Sequence, residues 1–176
     1  MEEIEPPTEH LHEHLHHAAH GGERWISWVA LSSAILAAIG AVCALLSGHH
    51  ANEAMIDQIQ ASNKWAYFQS KSVKANLLSS KMELLDALGK KGGEKDHEKL
   101  AEYKKEQNEI AEEAKHKEQH SADHLRRHLI FARALTLLQV SIAVSAISAL
   151  SQRRGFWFVS LVFGAAGSAL LLFGLK

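Results

Sequence analysis

Three stretches of about 20 apolar residues break an otherwise polar chain: Trp25 to Leu46, Leu129 to Leu150 and Phe156 to Leu175. At ~1.5 Å per residue each can cross the ~30 Å hydrocarbon layer of a bilayer. They predict transmembrane helices over 25–47, 129–151 and 156–175. The alternative, three buried helices of a soluble bundle, calls for a polar stripe that these segments lack. The second stretch holds Arg133 and Gln139. Arg133 lies one turn from the end, where its long side chain can reach the interface.

Between the first two stretches the pattern turns polar and helical. From Asn52 to Leu88 there is neither proline nor glycine, and Ile56, Ile59, Ala66, Val73, Leu77, Leu84 and Ala87 recur at steps of three, four or seven. This is a coiled-coil-like seam, loosened by Asn63, Ser70 and Ser80. Three glycines within 89–93 mark a turn. A second polar helix follows, with Leu100, Tyr103, Ile110 and Ala114 on one stripe, and leads into the second apolar stretch. Two such helices joined by a tight turn pair antiparallel, giving an arm of ~50 Å at ~1.5 Å per residue. With so few large seam residues, the arm is expected to pack against copies of itself or a partner. A flexible charged loop is the competing reading, disfavoured by the abundance of Glu and Lys at helical spacings.

The expected organisation is therefore all-α: a His/Glu-rich tail over 1–24, a transmembrane helix over 25–47, a polar antiparallel hairpin over 48–128 and two further transmembrane helices over 129–151 and 156–175. The 20 acidic and 19 basic residues nearly cancel, so no concentration of positive charge points to nucleic acid. The acidic residues before the first stretch argue against a cleaved signal peptide, so that stretch is expected to stay as an anchor. Arg24, Arg153 and Arg154 favour one orientation, while Lys115, Lys117, Arg126 and Arg127 favour the reverse. The single cysteine, Cys43, lies inside the first apolar stretch and supports neither a disulfide nor a cysteine-based zinc site.

Histidine is the chemistry the chain does offer. The tail carries His10, His12, His14, His16, His17 and His20, several of them paired at i, i+4, which suits a divalent metal such as Zn, Ni or Cu. His12-Glu13-His14-Leu15-His16 also fits the zinc-protease pattern, but in so histidine-rich a tract that match follows from composition. A second set, His116, His120, His124 and His128, repeats every four residues up to the second apolar stretch. Folding the hairpin would bring this end near His49, Glu53 and Asp57, which share a face at i, i+4, i+8. Such a juxtamembrane cluster could bind a metal or sense protons, or could simply be a wet helix face.

Small residues recur at four-residue steps within the spans: Ala30, Ala34 and Ala38; Ser141, Ser145 and Ala149; Ser160, Gly164 and Ser168. These rows allow close helix approach, either within one subunit or in a homo-oligomer. No span carries a repeated charged face of the kind that lines a pore. A phosphate-binding glycine loop, a dinucleotide fingerprint and a Gly-x-Ser-x-Gly elbow are all missing from the sequence.

At Trp65-Ala-Tyr67-Phe68-Gln69-Ser70-Lys71-Ser72-Val73-Lys74 the sequence resembles a family of bacterial membrane proteins known only as a domain of unknown function, DUF4337. The resemblance extends to Pro7-Thr8-Glu9-His10-Leu11-His12-Glu13, to Arg24-Trp25-Ile26 and to Gly48-His49-His50-Ala51-Asn52-Glu53-Ala54. It implies a bacterial inner-membrane protein and supplies no activity, substrate or cofactor. Read physically, Trp65, Phe68 and Ser72 share one helix face, a candidate partner-binding patch or a well-packed layer of the hairpin.

These readings lead to a non-enzymatic membrane scaffold or accessory subunit, seated in the lipid bilayer and forming a homo-oligomer through its spans and hairpin, the hairpin also being open to a protein partner. The rival expectations are a metal- or pH-responsive sensor and a transport or channel component.

Overall fold

The computed structural model describes residues 24–90 and 93–176, and all three elements in them are helices. Helix α1 is Arg24–Ala87, α2 is Glu94–Ser151 and α3 is Arg154–Gly174. The all-α expectation is met, and each helix is long and apolar enough to cross a membrane. In α1 and α2 one unbroken helix carries both an apolar and a polar half, because no glycine pair or proline interrupts the backbone hydrogen-bond ladder at the change of polarity.

The ends are set by local chemistry. Gly89 has φ 70°, and past it the Lys90 amide donates to Leu85 O while the Gly89 amide donates to Asp86 O. This pair of bonds is a Schellman cap, which needs a left-handed residue that glycine adopts without a Cβ penalty. Between α2 and α3 only Gln152 and Arg153 intervene, Gln152 at φ 52°. Ser148 fastens this turn by donating its hydroxyl to Arg153 O at 2.9 Å.

The chain divides into two compact units. One comprises the residues up to His50 together with Arg126–Lys176, and the other is Ala51–Leu125. The first packs the apolar parts of all three helices. Its centre is Leu36, Cys43, Ala134, Leu138 and Ile142, but serine contributes as much as leucine: Ser33, Ser141, Ser145, Ser148 and Ser160 are all fully buried. Ser33 and Ser145 hydrogen-bond to each other through their hydroxyls, and Ser141 donates to Ser160 O at 2.6 Å. The buried face of α3 is Ser160, Gly164, Gly167 and Gly174. At Gly167 a Cβ would stand 2.9 Å from Leu138 Cγ and 3.0 Å from Ala134 O, so the two helices are in contact through backbone.

The second unit is held by polar cross-links between α1 and α2. Lys117 Nζ donates to Asp57 Oδ1 at 3.0 Å, Lys64 pairs with Glu113, Lys71 with Glu106, and Lys81 Nζ lies 2.7 Å from Asp96 Oδ2. As the α1 positions advance from 57 to 81, their α2 partners retreat from 117 to 96.

The seam read from the sequence lies on the wrong face of α1. Ala54, Ala61 and Ala75 are buried, with Ile110, Ala114 and Ser121 buried on α2. The expected stripe Ile56, Ile59, Ala66, Val73, Leu77, Leu84 and Ala87 points outward, Leu77 and Leu84 being 67% and 63% exposed. Two heptad stripes, offset by two residues, run along the same helix. Asp57, Lys64 and Lys71 border the alanine stripe and meet partners of opposite sign on α2, so this face supplies ion pairs as well as close packing. The α2 stripe of Leu100, Tyr103, Ile110 and Ala114 is buried or half-buried as expected.

Candidate functional site

The polar residues singled out in the sequence fall into separate groups. His10, His12, His14, His16, His17 and His20 lie outside the described residues. Of the second set, His49 and His128 belong to the first unit, and Glu53, Asp57, His116, His120 and His124 to the second.

In the first unit His128 is tied to α1. Its Nδ1 lies 2.9 Å from both Ser47 O and Ser47 Oγ. Both contacts hold the ring against α1 and occupy Nδ1, which donates to the carbonyl in one tautomer and accepts from the hydroxyl in the other. The neighbouring His50 stacks on Phe131 with ring centroids 5.5 Å apart, and His49 packs against His50 at 5.3 Å. The opposite end of this unit is aromatic and cationic. Arg154 sits over the Trp25 ring at 5.5 Å, and Trp157 Nε1 donates to Ser32 Oγ at 3.1 Å.

In the second unit Asp57 is the focus. The hydrogen bond from Lys117 holds its carboxyl below the usual carboxylate range, helped by the charge of Lys117 and by His120 and His124 nearby, and opposed by partial burial. His116 and His120 pack ring to ring at 4.4 Å. An open depression beside them is lined by Lys64, Glu112, Glu113, His116 and Lys117. Among the described residues, no group of three or more His, Cys, Asp or Glu is placed to hold a metal ion. Asp57, the most buried carboxylate of the proposed set, is instead engaged by an ammonium.

Farther along, Trp65 and Phe68 meet edge to face with centroids 5.6 Å apart, and Trp65 Nε1 donates to Glu118 Oε1 at 2.8 Å. Trp65, Phe68 and Ser72 are each half-buried. Beside them lies a group that sequence reading missed. Lys71 pairs with Glu106 and stands over two aromatic rings, Tyr67 at 5.5 Å and Tyr103 at 5.3 Å. Its ammonium is raised above the ordinary lysine value, chiefly by the bond to Glu106 and despite burial. The i, i+4 spacing of Tyr67 and Lys71 was visible in the sequence, but Tyr103 and Glu106 join them only once the register of the two helices is known.

Residues 25–176 match the family described as Domain of unknown function (DUF4337). The chain belongs to the DUF4337 family. The match spans all three helices and both units of this DUF4337 protein, and leaves its histidine-rich tail outside. No curated protein and no solved structure is detectably similar to it.

Proposed function

We propose that this DUF4337 protein is an integral membrane scaffold or accessory subunit, non-enzymatic, with three spans and a polar antiparallel hairpin between the first two. The observation that carries the reading is the apolar exterior of the first unit, combined with serines buried beside its leucine core. Ser33, Ser141 and Ser145 are 0% exposed at its centre, while Leu45 and Leu150 stand 72% and 78% exposed on its surface. In water this arrangement wastes the hydrophobic effect on the outside and buries hydroxyls inside. In a bilayer it is the favourable one, because lipid accepts the leucines and small or hydroxyl side chains let helices approach and hydrogen-bond. The ends agree. Trp25, Trp157 and Arg154 form one polar rim and Ser47 and His128 the other, and Trp25 to Ser47 is ~33 Å of helix at ~1.5 Å per residue, close to the hydrocarbon thickness.

A scaffolding role follows from how the polar side chains are used. In the second unit Asp57, Lys64, Lys71 and Lys81 are taken up in joining α1 to α2, which builds a rigid element and leaves its outer faces for other molecules. Gln139 supports association between subunits within the bilayer: it is exposed, lies near mid-span and has no hydrogen-bond partner among the described residues. A carboxamide facing lipid is costly and is stabilised by a partner helix.

The test is extraction and mass. Alkaline carbonate should leave the protein in the membrane pellet, and purification in two mild detergents should give a discrete oligomer by mass photometry. Release by carbonate would refute membrane insertion, and a monomer in both detergents at several concentrations would refute the assembling scaffold.

A further inference from the structure

The second unit has one large surface that its own contacts leave uncovered. Along α1, Ile56, Ile59, Val73, Leu77 and Leu84 keep about half or more of their surface exposed. They follow an unbroken three-four repeat that also takes in Asn63, Ala66, Ser70, Ser80 and Ala87. Such a repeat is the pattern of a left-handed two-helix seam. It lies opposite the alanine stripe that packs on α2, so the helix can serve both contacts at once. The first half of the stripe is bordered by uncharged residues, Met55, Gln60, Ser62, Tyr67 and Gln69, and the second half by Lys74, Asn76, Lys81 and Glu83.

We propose that this stripe is covered by the same stripe of a second copy of the chain, the two α1 helices running parallel. The inference rests on the membrane-scaffold reading above, and the size of the stripe is what selects the occupant. From Ile56 to Ala87 it runs ~46 Å at ~1.5 Å per residue, and with a contact ~10 Å wide it offers roughly 450 Å². A standard stable interface needs about 800 Å² from each partner. A soluble protein would therefore be held weakly. A second copy in the same bilayer is different, because its spans already confine it to high local concentration and an interface of this size then suffices. Both α1 helices leave that bilayer in the same direction, so they meet parallel and in register. Asn63 then faces Asn63 of the second copy at a seam position where paired asparagines select parallel pairing and a single register.

The experiment is disulfide trapping in native membranes, using the full chain with Cys43→Ala and one new cysteine at a time. Ile59→Cys, Leu77→Cys and Leu84→Cys should each form covalent dimers on mild oxidation, at least tenfold more than Gln58→Cys, an exposed position away from the stripe. Leu77→Glu should leave the helical content of the protein unchanged, because the side chain is exposed, and should shift the assembly toward smaller species. Trapping no stronger at the three stripe positions than at Gln58→Cys would overturn the proposal. So would trapping confined to cysteines at Ser70 and Val73, which signifies antiparallel pairing about the middle of the stripe. Mass photometry of the same preparations separates the two levels: an oligomer without stripe trapping removes this interface and keeps the scaffold, whereas a monomer removes both.

Discussion

Lys117 on α2 donates to Asp57 on α1 at 3.0 Å and lowers the pKa of a nearly buried carboxylate. A group whose folded pKa lies below its unfolded value stabilises the fold above the unfolded value, ~3.9 for aspartate, and loses that contribution as pH falls through the folded value. Asp96, held down by its bond to Lys81, behaves in the same way. Hydrogen-exchange protection over residues 51–125, taken relative to the intrinsic exchange rate at each pH, should therefore be high at neutral pH and fall below about pH 4. Asp57→Asn should flatten part of that acid dependence, and equal acid sensitivity in variant and parent would show that the pair is not a stabilising contact.

Gly167 tests the packing of the first unit. A Cβ there would meet Ala134 O, which belongs to a helix backbone and cannot step aside, whereas a Cβ at Gly164 meets chiefly the flexible tip of Leu36. Gly167→Ala is expected to destabilise the detergent-solubilised protein by about 1–3 kcal/mol, and Gly164→Ala by less. The reverse order in thermal melts would contradict the close approach of α3 to α2.

The Schellman cap after α1 makes Gly89 sensitive although nothing surrounds it. Its φ is 70°, and the space that a Cβ would occupy is open, so the whole effect of a substitution lies in backbone strain. Gly89→Ala should cost about 1–2 kcal/mol, read as a lowered melting temperature and faster exchange near residues 84–90. Gly48→Ala, at an exposed helical glycine with open space around it, should instead be neutral or stabilising.

Much of this was legible in the sequence. Apolar runs at Trp25, Leu129 and Phe156 announce three long helices because length and composition alone decide them, and the glycines from 89 onward announce the end of α1. The face that pairs was not legible. Ile56, Leu77 and Leu84 outweigh Ala54, Ala61 and Ala75 on any hydrophobicity scale, yet the smaller stripe is the one buried against α2, where Asp57, Lys64 and Lys71 also find partners, and pairing across helices depends on a register that periodicity does not contain. The same applies to α3. The four-residue row Ser160, Gly164, Ser168 picks out half of the buried face and misses Gly167 and Gly174, since a packed helix alternates steps of three and four. Gly164 is thus used inside the chain, and changing it to Ile would disturb the fold of the subunit before any contact between subunits.

Zinc separates the tail from the helices. With Nδ1 of His128 occupied by Ser47 and Asp57 bound to Lys117, a variant lacking residues 1–23 should melt at the same temperature with and without added zinc at pH 7. A rise of several degrees would reveal a metal site among the helices and favour the sensor reading.

Membrane insertion with three spans is the central claim, and single-cysteine labelling in sealed vesicles tests it most directly. In a Cys43→Ala background, cysteines placed at Gln152, Lys104, Lys176 and Leu45 are probed with a membrane-impermeant maleimide. Three spans put Lys104 and Lys176 on one side and Gln152 on the other, with the outward-facing Leu45 in lipid. The account predicts that Lys104→Cys and Lys176→Cys label from the same side, that Gln152→Cys labels only from the opposite side, so that opening the vesicles adds whichever set was silent in intact ones, and that Leu45→Cys labels in neither state. Labelling of all four positions from one side of intact vesicles would contradict it.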